Sequence, residues 1–238
     1  MIGLIPAAGT GSRLGELTKD TPKELLPVGE KPIIEHVLDQ FKEAGITKVF
    51  IIIGPGKHAI MDYFGNGQRF GFEISYLFQE KPEGLAKAIN ESKAFIDDDF
   101  AVVLGDNLLF PKTLLKDVIA EKVATGADIM LVGREVHDPE RFGVIESEDG
   151  KVVGLEEKPK NPKTSNAIVG MYVFSPEIFE AIAKTQPGAK GEYQITDSIK
   201  IMLEEGKNIR VTSHKGEWVD IGTKESYEAA NESLKEKQ

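Results

Sequence analysis

Cysteine is absent from this chain of 238 residues, which excludes disulfides, thiolate metal sites and cysteine nucleophiles. That absence permits a reducing compartment, and a cytoplasmic location is the expectation. No apolar run approaches the ~20 residues that span a bilayer, and Met1-Ile2-Gly3 lacks the basic start of a signal peptide, so no membrane partner is expected. Histidine is sparse: His36, His58, His137 and His214 share no spacing typical of a zinc site, and each reads as a surface or cap residue. Positive charge is in deficit, with a formal net charge of −10. An extended basic surface for a nucleic-acid backbone is therefore not expected. A small phosphorylated ligand remains allowed, because a few local cations and a metal outweigh the distant field. Also missing are a Pro/Gly/Ser-rich linker, an internal repeat and any low-complexity tract.

Hydrophobic residues make up 40% of the chain and charged residues 29%, the balance of a globular protein with a substantial core. The most informative stretch is Ile5-Pro6-Ala7-Ala8-Gly9-Thr10-Gly11-Ser12-Arg13-Leu14, an apolar run feeding a glycine-rich turn and then an arginine. Glycines let backbone N–H groups close in on an oxyanion, and the start of a following helix would add partial positive charge. Arg13 and, further on, Lys23 in Thr21-Pro22-Lys23-Glu24-Leu25-Leu26-Pro27 would supply full charges, one as a fork and one as a point. The stretch reads as a triphosphate cradle. Two other glycine loops are excluded. The dinucleotide fingerprint needs a glycine where Leu14 stands, and no Gly-Lys-Ser/Thr run follows the Walker spacing.

Hydropathy patterning then predicts a helix over Ile33 to Ala44 stopped by Gly45, a doubly buried strand over Val49 to Ile53, a short helix over His58 to Phe64 and a strand over Phe72 to Phe78. A turn at Gln79 to Gly84 opens a helix to about Phe95. Phe100 to Leu104 reads as a buried strand ending in Gly105-Asp106-Asn107, Pro111 to Ala124 as an amphipathic helix and Asp128 to Val132 as a strand. This alternation implies an α/β fold, a doubly wound, mainly parallel (mixed) sheet with helices on both faces. Ligands in such sheets lie beyond the carboxyl ends of the strands, where both the glycine turn and Asp106 fall. From Arg141 the strands shorten: Phe142 to Glu146, Lys151 to Glu156, Ala167 to Phe174 and Arg210 to Ser213, with helices at Pro176 to Lys184, Ile195 to Glu205 and Lys224 to Lys235. A single domain over 1–238 is expected, in two halves, 1–132 and 133–238. Asp97-Asp98-Asp99 reads as a solvated turn rather than a metal cluster.

Eight short motifs occur in one order: Gly9-Thr10-Gly11-Ser12-Arg13-Leu14, Pro22-Lys23-Glu24-Leu25-Leu26-Pro27, Gln79 with Gly84-Leu85-Ala86, Leu104-Gly105-Asp106-Asn107, Arg141-Phe142-Gly143-Val144, Glu156-Glu157-Lys158-Pro159, Gly191-Glu192-Tyr193-Gln194-Ile195-Thr196-Asp197, and Trp218-Val219-Asp220-Ile221-Gly222-Thr223. Together they make the chain resemble the sugar-1-phosphate nucleotidyltransferases, most closely the glucose-1-phosphate thymidylyltransferase branch. The resemblance implies Mg²⁺-dependent transfer of a nucleotidyl group from dTTP or UTP to a sugar 1-phosphate, releasing pyrophosphate. By family position, Asp106 and Asp220 would hold the metal, and Arg13, Lys23 and Lys158 would complete the catalytic set. Ala8, Gly9, Gly11, Ser12, Gln79 and Gly84 would bind the nucleotide with Arg13 and Lys23; Gly84 would leave room for the base. Gly143, Glu157, Lys158, Asn166 and Glu192 would bind the sugar phosphate, making 1–132 a nucleotide-binding half and 133–238 a sugar-binding half. The partners implied are a nucleoside triphosphate and a sugar 1-phosphate, with homo-oligomerisation left open. Four rivals stand beside this: a UTP-glucose-1-phosphate uridylyltransferase, guanylyl transfer to mannose 1-phosphate, a non-catalytic NDP-sugar-binding regulatory homologue, and a nucleotide-dependent dehydrogenase, against which the missing third glycine speaks. The chain ends soon after the Asp220 segment, so no C-terminal acyltransferase extension is expected.

Overall fold

A computed structural model describes residues 1–188 and 191–235. In chain order the elements are β1 (Ile2–Pro6), β2 (Pro27–Val28), β3 (Lys31–Pro32), α1 (Ile33–Glu43), β4 (Lys48–Ile53), α2 (His58–Phe64), β5 (Glu73–Phe78), α3 (Leu85–Asn90), β6 (Phe100–Val103), β7 (Asn107–Leu109), α4 (Leu114–Thr125), β8 (Ile129–Glu135), β9 (Gly143–Glu148), β10 (Lys151–Glu157), β11 (Asn166–Phe174), α5 (Ile178–Lys184), α6 (Ile195–Glu204), β12 (Ile209–Ser213), β13 (Trp218–Asp220) and α7 (Lys224–Lys235). The chain forms two interleaved compact units. The first takes Ile2–Pro82, Val103–Lys116 and the stretch from Gly216 onward; the second takes Glu83–Val102 and Asp117–Lys215.

In the first unit, β1 pairs in parallel with β4 (Gly3↔Val49 through Pro6↔Ile52), and β4 with β5 (Lys48↔Glu73 through Ile53↔Phe78). Parallel neighbours need crossovers, and α1 and α2 supply them. α1 buries Ile33, Ile34, Val37, Leu38 and Phe41, spaced at three and four residues to make one apolar stripe. The Phe41 ring packs so closely on β1 that a Cβ at Gly3 would stand 2.7 Å from it. β7 and β13 form a separate antiparallel ribbon (Trp218↔Leu109 through Asp220↔Asn107). α7 closes over a cluster of Leu14, Leu26, Val28, Ile33, Leu108, Ile221 and Ala230, which ties the end of the chain to its first thirty residues.

In the second unit the strand order is β6-β11-β8-β12-β10-β9. β12 pairs with β8 in parallel, whereas β11 with β8 and β10 with β9 are antiparallel. β9 also meets β11 through Ala167↔Val144, so this end curls back on itself. The sheet is therefore mixed rather than mainly parallel. Hairpins such as Glu148-Asp149-Gly150 connect neighbours without a helix, which forces antiparallel pairing.

Other expectations need correction. The segment after the glycine turn is not an α-helix: Ser12–Thr18 forms 3-10 turns broken at Gly15 (φ 57°), and it buries only Leu14. One buried residue is too small a stripe to stabilise a helix, and the Thr18 hydroxyl donates to the Gly11 and Gly15 carbonyls. No helix dipole adds charge to the turn. The helix read to Phe95 ends at Asn90, where the buried Ser92 hydroxyl bonds the Ile89 carbonyl. The helix placed at Pro111 starts at Leu114. β2, β3 and β7 went unseen, each being only two or three residues long. His214 is buried, not at the surface. Asp99 is not merely solvated, because the buried Lys122 ammonium donates to it at 2.5 Å.

Candidate active site

In the first unit the cradle emerges where β1 ends, and Ala7 N–H donating to the Ile52 carbonyl (2.8 Å) pins it to β4. A Cβ at Gly54, in the loop after β4, would lie 3.1 Å from the Ala8 carbonyl. Gly9 and Gly11 flank the Lys23 side chain. A Cβ at Gly9 would be 3.7 Å from Lys23 Nζ, and one at Gly11 (φ +68°) 3.4 Å from Lys23 Cβ. Absent side chains thus make the trough along which the lysine lies. The Lys23 ammonium forms an ion pair with the Asp106 carboxylate, both side chains mostly shielded. Burial works against a charged ammonium here, but Asp106, Glu24 and Asp220 outweigh it and hold the Lys23 pKa above its usual value.

Asp106 belongs to the turn before β7, and Asp220 ends β13, whose register sets it opposite Asn107. The next N–H, of Ile221, donates to the Asp106 carbonyl at 3.0 Å. A Cβ at Gly222 would lie 3.0 Å from Arg13 Nη2 and 3.5 Å from Asp220 Oδ2, so guanidinium and carboxylate border the same glycine. Arg13, Lys23, Asp106 and Asp220 are gathered around one loop from residues up to 207 positions apart in the chain. Ser12 is exposed on that loop. Gln79 follows β5, buried, with its N–H on the Ile53 carbonyl at 2.8 Å.

In the second unit Gly143 and Glu157 face each other as antiparallel partners. Glu157 Oε2 accepts from the Thr196 hydroxyl at 2.7 Å, and Oε1 pairs with Lys158 Nζ at 2.9 Å. A Cβ at Gly143 would lie 2.7 Å from Thr196 Oγ1 and 3.1 Å from Glu157 Oε2, so a side chain there would displace the Thr196 hydroxyl. Lys158 has φ 45°, a left-handed conformation that costs a non-glycine residue on the order of 1–3 kcal/mol, and its N–H donates to the Phe142 carbonyl at 2.9 Å. Burial, joined by the Glu157 charge and opposed by Lys200, raises the Asp197 pKa. Asn166 opens β11, against Gly133 of β8. The Glu192 carboxylate accepts from Gln194 Nε2 at 3.0 Å.

Gly84, expected to leave room for the base, is set against protein backbone. At φ +107°, a Cβ on it would strike the Tyr193 backbone at 2.5 Å from the carbonyl oxygen. Tyr193 N–H donates to the Glu83 carbonyl (2.7 Å), Ala86 N–H donates to the Tyr193 carbonyl (3.0 Å), and Lys87 Nζ lies 4.4 Å over the Tyr193 ring. This two-bond clasp occupies the space a side chain at Gly84 would need. The clasp and Thr196 behind Glu157 in the second unit, and the buried Glu24–Lys57 pair (2.6 Å) in the first, are the neighbours of candidate residues that sequence patterning missed. Glu24, Tyr193 and Thr196 lie inside recognised motifs, which was the available signal; Lys57 carried none.

The chain matches the nucleotidyl transferase family over residues 2–237. It is 42% identical over 241 residues to the low-salt glycan biosynthesis nucleotidyltransferase Agl11 of Haloferax volcanii, covering 99% of this chain and 66% of that protein. It is 41% identical over 224 residues to a glucose-1-phosphate thymidylyltransferase of Streptomyces griseus, covering 93% and 62%. The chain thus spans about two thirds of the length of these two curated relatives. A UDP-glucose pyrophosphorylase solved with UDP-glucose superposes with a TM-score of 0.90 at 30% identity, covering 100% of this chain and 99% of that one. With a match running from the first strand to the last helix, the chain belongs to the nucleotidyl transferase family.

Proposed function

We propose that the protein, acting as one catalytic domain over 1–238, transfers a nucleotidyl group from dTTP or UTP to glucose 1-phosphate. An oxygen of the sugar phosphate attacks the α-phosphorus; the bond to the β-phosphate breaks, and pyrophosphate leaves with that electron pair. No covalent enzyme intermediate is needed, and positioning with charge neutralisation does most of the work. The observation that carries this reading is the gathering of Arg13, Lys23, Asp106 and Asp220 around one glycine loop.

Each residue then has a task. Arg13 and the Gly9–Gly11 backbone would hold the triphosphate, and Lys23, already carrying a full charge, would neutralise the departing pyrophosphate. Gln79 has an amide able to match the O4 and N3–H edge of thymine or uracil. Lys158 would receive the sugar phosphate, and Glu157, preset by Thr196, a sugar hydroxyl, with the Gly143 backbone, Asn166 and Glu192 as further partners. Asp106 and Asp220 are oxygen donors of one sign, and among the described residues no cluster of three or more His, Asp or Glu side chains could hold a metal unaided. That donor set fits Mg²⁺, which binds through one or two carboxylates plus substrate phosphates and water. When bound, Mg²⁺ would supply charge neutralisation at the triphosphate.

UTP stands beside dTTP because the UDP-glucose-bound relative covers 99% of its own chain in the superposition. A thymine methyl is worth only ~1–3 kcal/mol in a pocket, so both bases are expected to serve. The test is pyrophosphate release across a grid of nucleoside triphosphates and sugar 1-phosphates, with Mg²⁺ and with chelator. Turnover confined to dTTP or UTP with glucose 1-phosphate, and abolished by chelator, is expected. UDP-glucose or dTDP-glucose binding without turnover on any pair would instead identify a regulatory homologue.

A further inference from the structure

Glu24 and Lys57 form a nearly dry ion pair: their side chains are 1% and 6% exposed, with Nζ 2.6 Å from Oε2. The other carboxylate oxygen, Oε1, is buried with no hydrogen-bond partner. Such a pair is a poor source of stability. Each ion forfeits several kcal/mol of hydration, and apolar replacements of similar volume are often neutral or stabilising. A buried oxygen left unsatisfied adds to that penalty and asks for a physical reason.

The reason lies in what the pair touches. Glu24 follows Lys23 in a tight turn, held by Leu25 N–H on the Pro22 carbonyl (2.9 Å) and Leu26 N–H on the Lys23 carbonyl (3.1 Å). On its other flank is Gly105, the residue before Asp106. A Cβ there would lie 3.3 Å from Glu24 Cγ and 3.1 Å from the Pro6 carbonyl, and Gly105 N–H donates to that carbonyl at 3.0 Å. Lys57 belongs to the loop after β4, whose Gly54 abuts Ala8. One carboxylate therefore braces the base of Lys23, the turn that carries Asp106 and the loop behind the cradle. Its charge also favours the charged form of Lys23, after the contribution of Asp106.

We propose that the buried Glu24–Lys57 ion pair is a positioning device that fixes the Lys23 ammonium against Asp106 at the pyrophosphate end of the site. The inference rests on the reading of Lys23 as the group that meets pyrophosphate. Glu24 touches no substrate; it acts through Lys23 and the Gly105-Asp106 turn.

The test uses the full chain and inorganic pyrophosphate as the probe, with binding measured by calorimetry in the absence of metal. E24M/K57M, apolar and similar in volume, is expected to melt at or above the wild-type temperature. It should bind pyrophosphate about 10–100-fold more weakly, the cost typical of losing an outer-shell partner. Its kcat should fall by a similar factor, while KM for the sugar 1-phosphate stays unchanged. K57R keeps a donor for Glu24 and should retain both binding and turnover. E24Q, which still accepts from Lys57, gives the same binding readout should the double variant not fold. Wild-type pyrophosphate affinity in a folded E24M/K57M or E24Q overturns the inference. K23M separates the two levels. If K23M binds pyrophosphate weakly while E24M/K57M binds normally, only the positioning role fails; if K23M itself binds normally, the reading of Lys23 fails and takes the inference with it.

Discussion

Asp106 serves two neighbours at once, its carboxylate engaged by Lys23 and its carbonyl by the N–H of Ile221. Substituting Asn removes the charge and keeps the shape, so Asp106→Asn and Asp220→Asn should fold normally. Each should nevertheless lose about 10²-fold or more in pyrophosphate release, the scale of deleting a key charge-stabilising group. Near-normal turnover in either would remove that residue from the metal role. Gly84 makes a prediction of a different kind. A Cβ there meets backbone, which cannot swing aside, in a conformation that L side chains rarely adopt. Gly84→Ala should therefore cost about 1–3 kcal/mol in urea unfolding, and an unchanged midpoint would mean the Tyr193 clasp is loose.

Among elements, α1 carries a pH sensor of stability. His36 Nε2 lies 2.9 Å from the Val28 carbonyl, so Nε2 must carry the proton, and Nδ1 is buried with no partner. Burial lowers the His36 pKa below 6.5; Lys31 and Lys112 add to that effect, while the Val28 carbonyl and Asp39 oppose it. The unfolded chain therefore takes up the proton first. His36 contributes stability above pH ~6.5 that is lost as pH falls through its depressed folded value. Denaturant midpoints measured at pH 7.5 and 5.5 should differ more for wild type than for His36→Gln, whose amide can still donate to Val28. Equal slopes would show that the imidazole is not the sensor. At the other end of the chain, α7 presents the fully buried Ala230 to Leu14 and Leu26, and the Tyr227 hydroxyl donates to the Pro27 carbonyl at 2.7 Å. Ala230→Leu should overpack this cluster by about 1–3 kcal/mol, lowering the melting temperature through residues that flank the Lys23 turn.

For the molecule as a whole, the excess of acid is set against a candidate site that holds two cations, Arg13 and Lys23. With a net charge of −10 and a sequence pI of about 5.0, long-range attraction to polyanions is unfavourable, whereas Arg13 and Lys23 act within a few ångströms. The protein should pass unretained through a heparin column at ~0.1 M salt, where the screening length is about 10 Å. Retention would reveal a basic surface that composition conceals.

Sequence by itself determined the elements whose physics is local. The 3.6-residue stripe of α1, the β-branched run of β4 and the glycines before Arg13 needed no partner to be read, because periodicity and missing side chains are properties of the chain. The motif order pointed to Asp106 and Asp220 as well. Tertiary structure alone decided what those residues meet: the pairing of β13 with β7 sets Asp220 opposite Asn107, one residue from Asp106, and Lys23 found Asp106 across 83 residues. It also decided that Gly84 yields to Tyr193 and that Glu24 lies dry beside Lys57. Burial and long-range pairing depend on the whole fold, and a charged residue in a motif reads the same whether it ends in water or in the core.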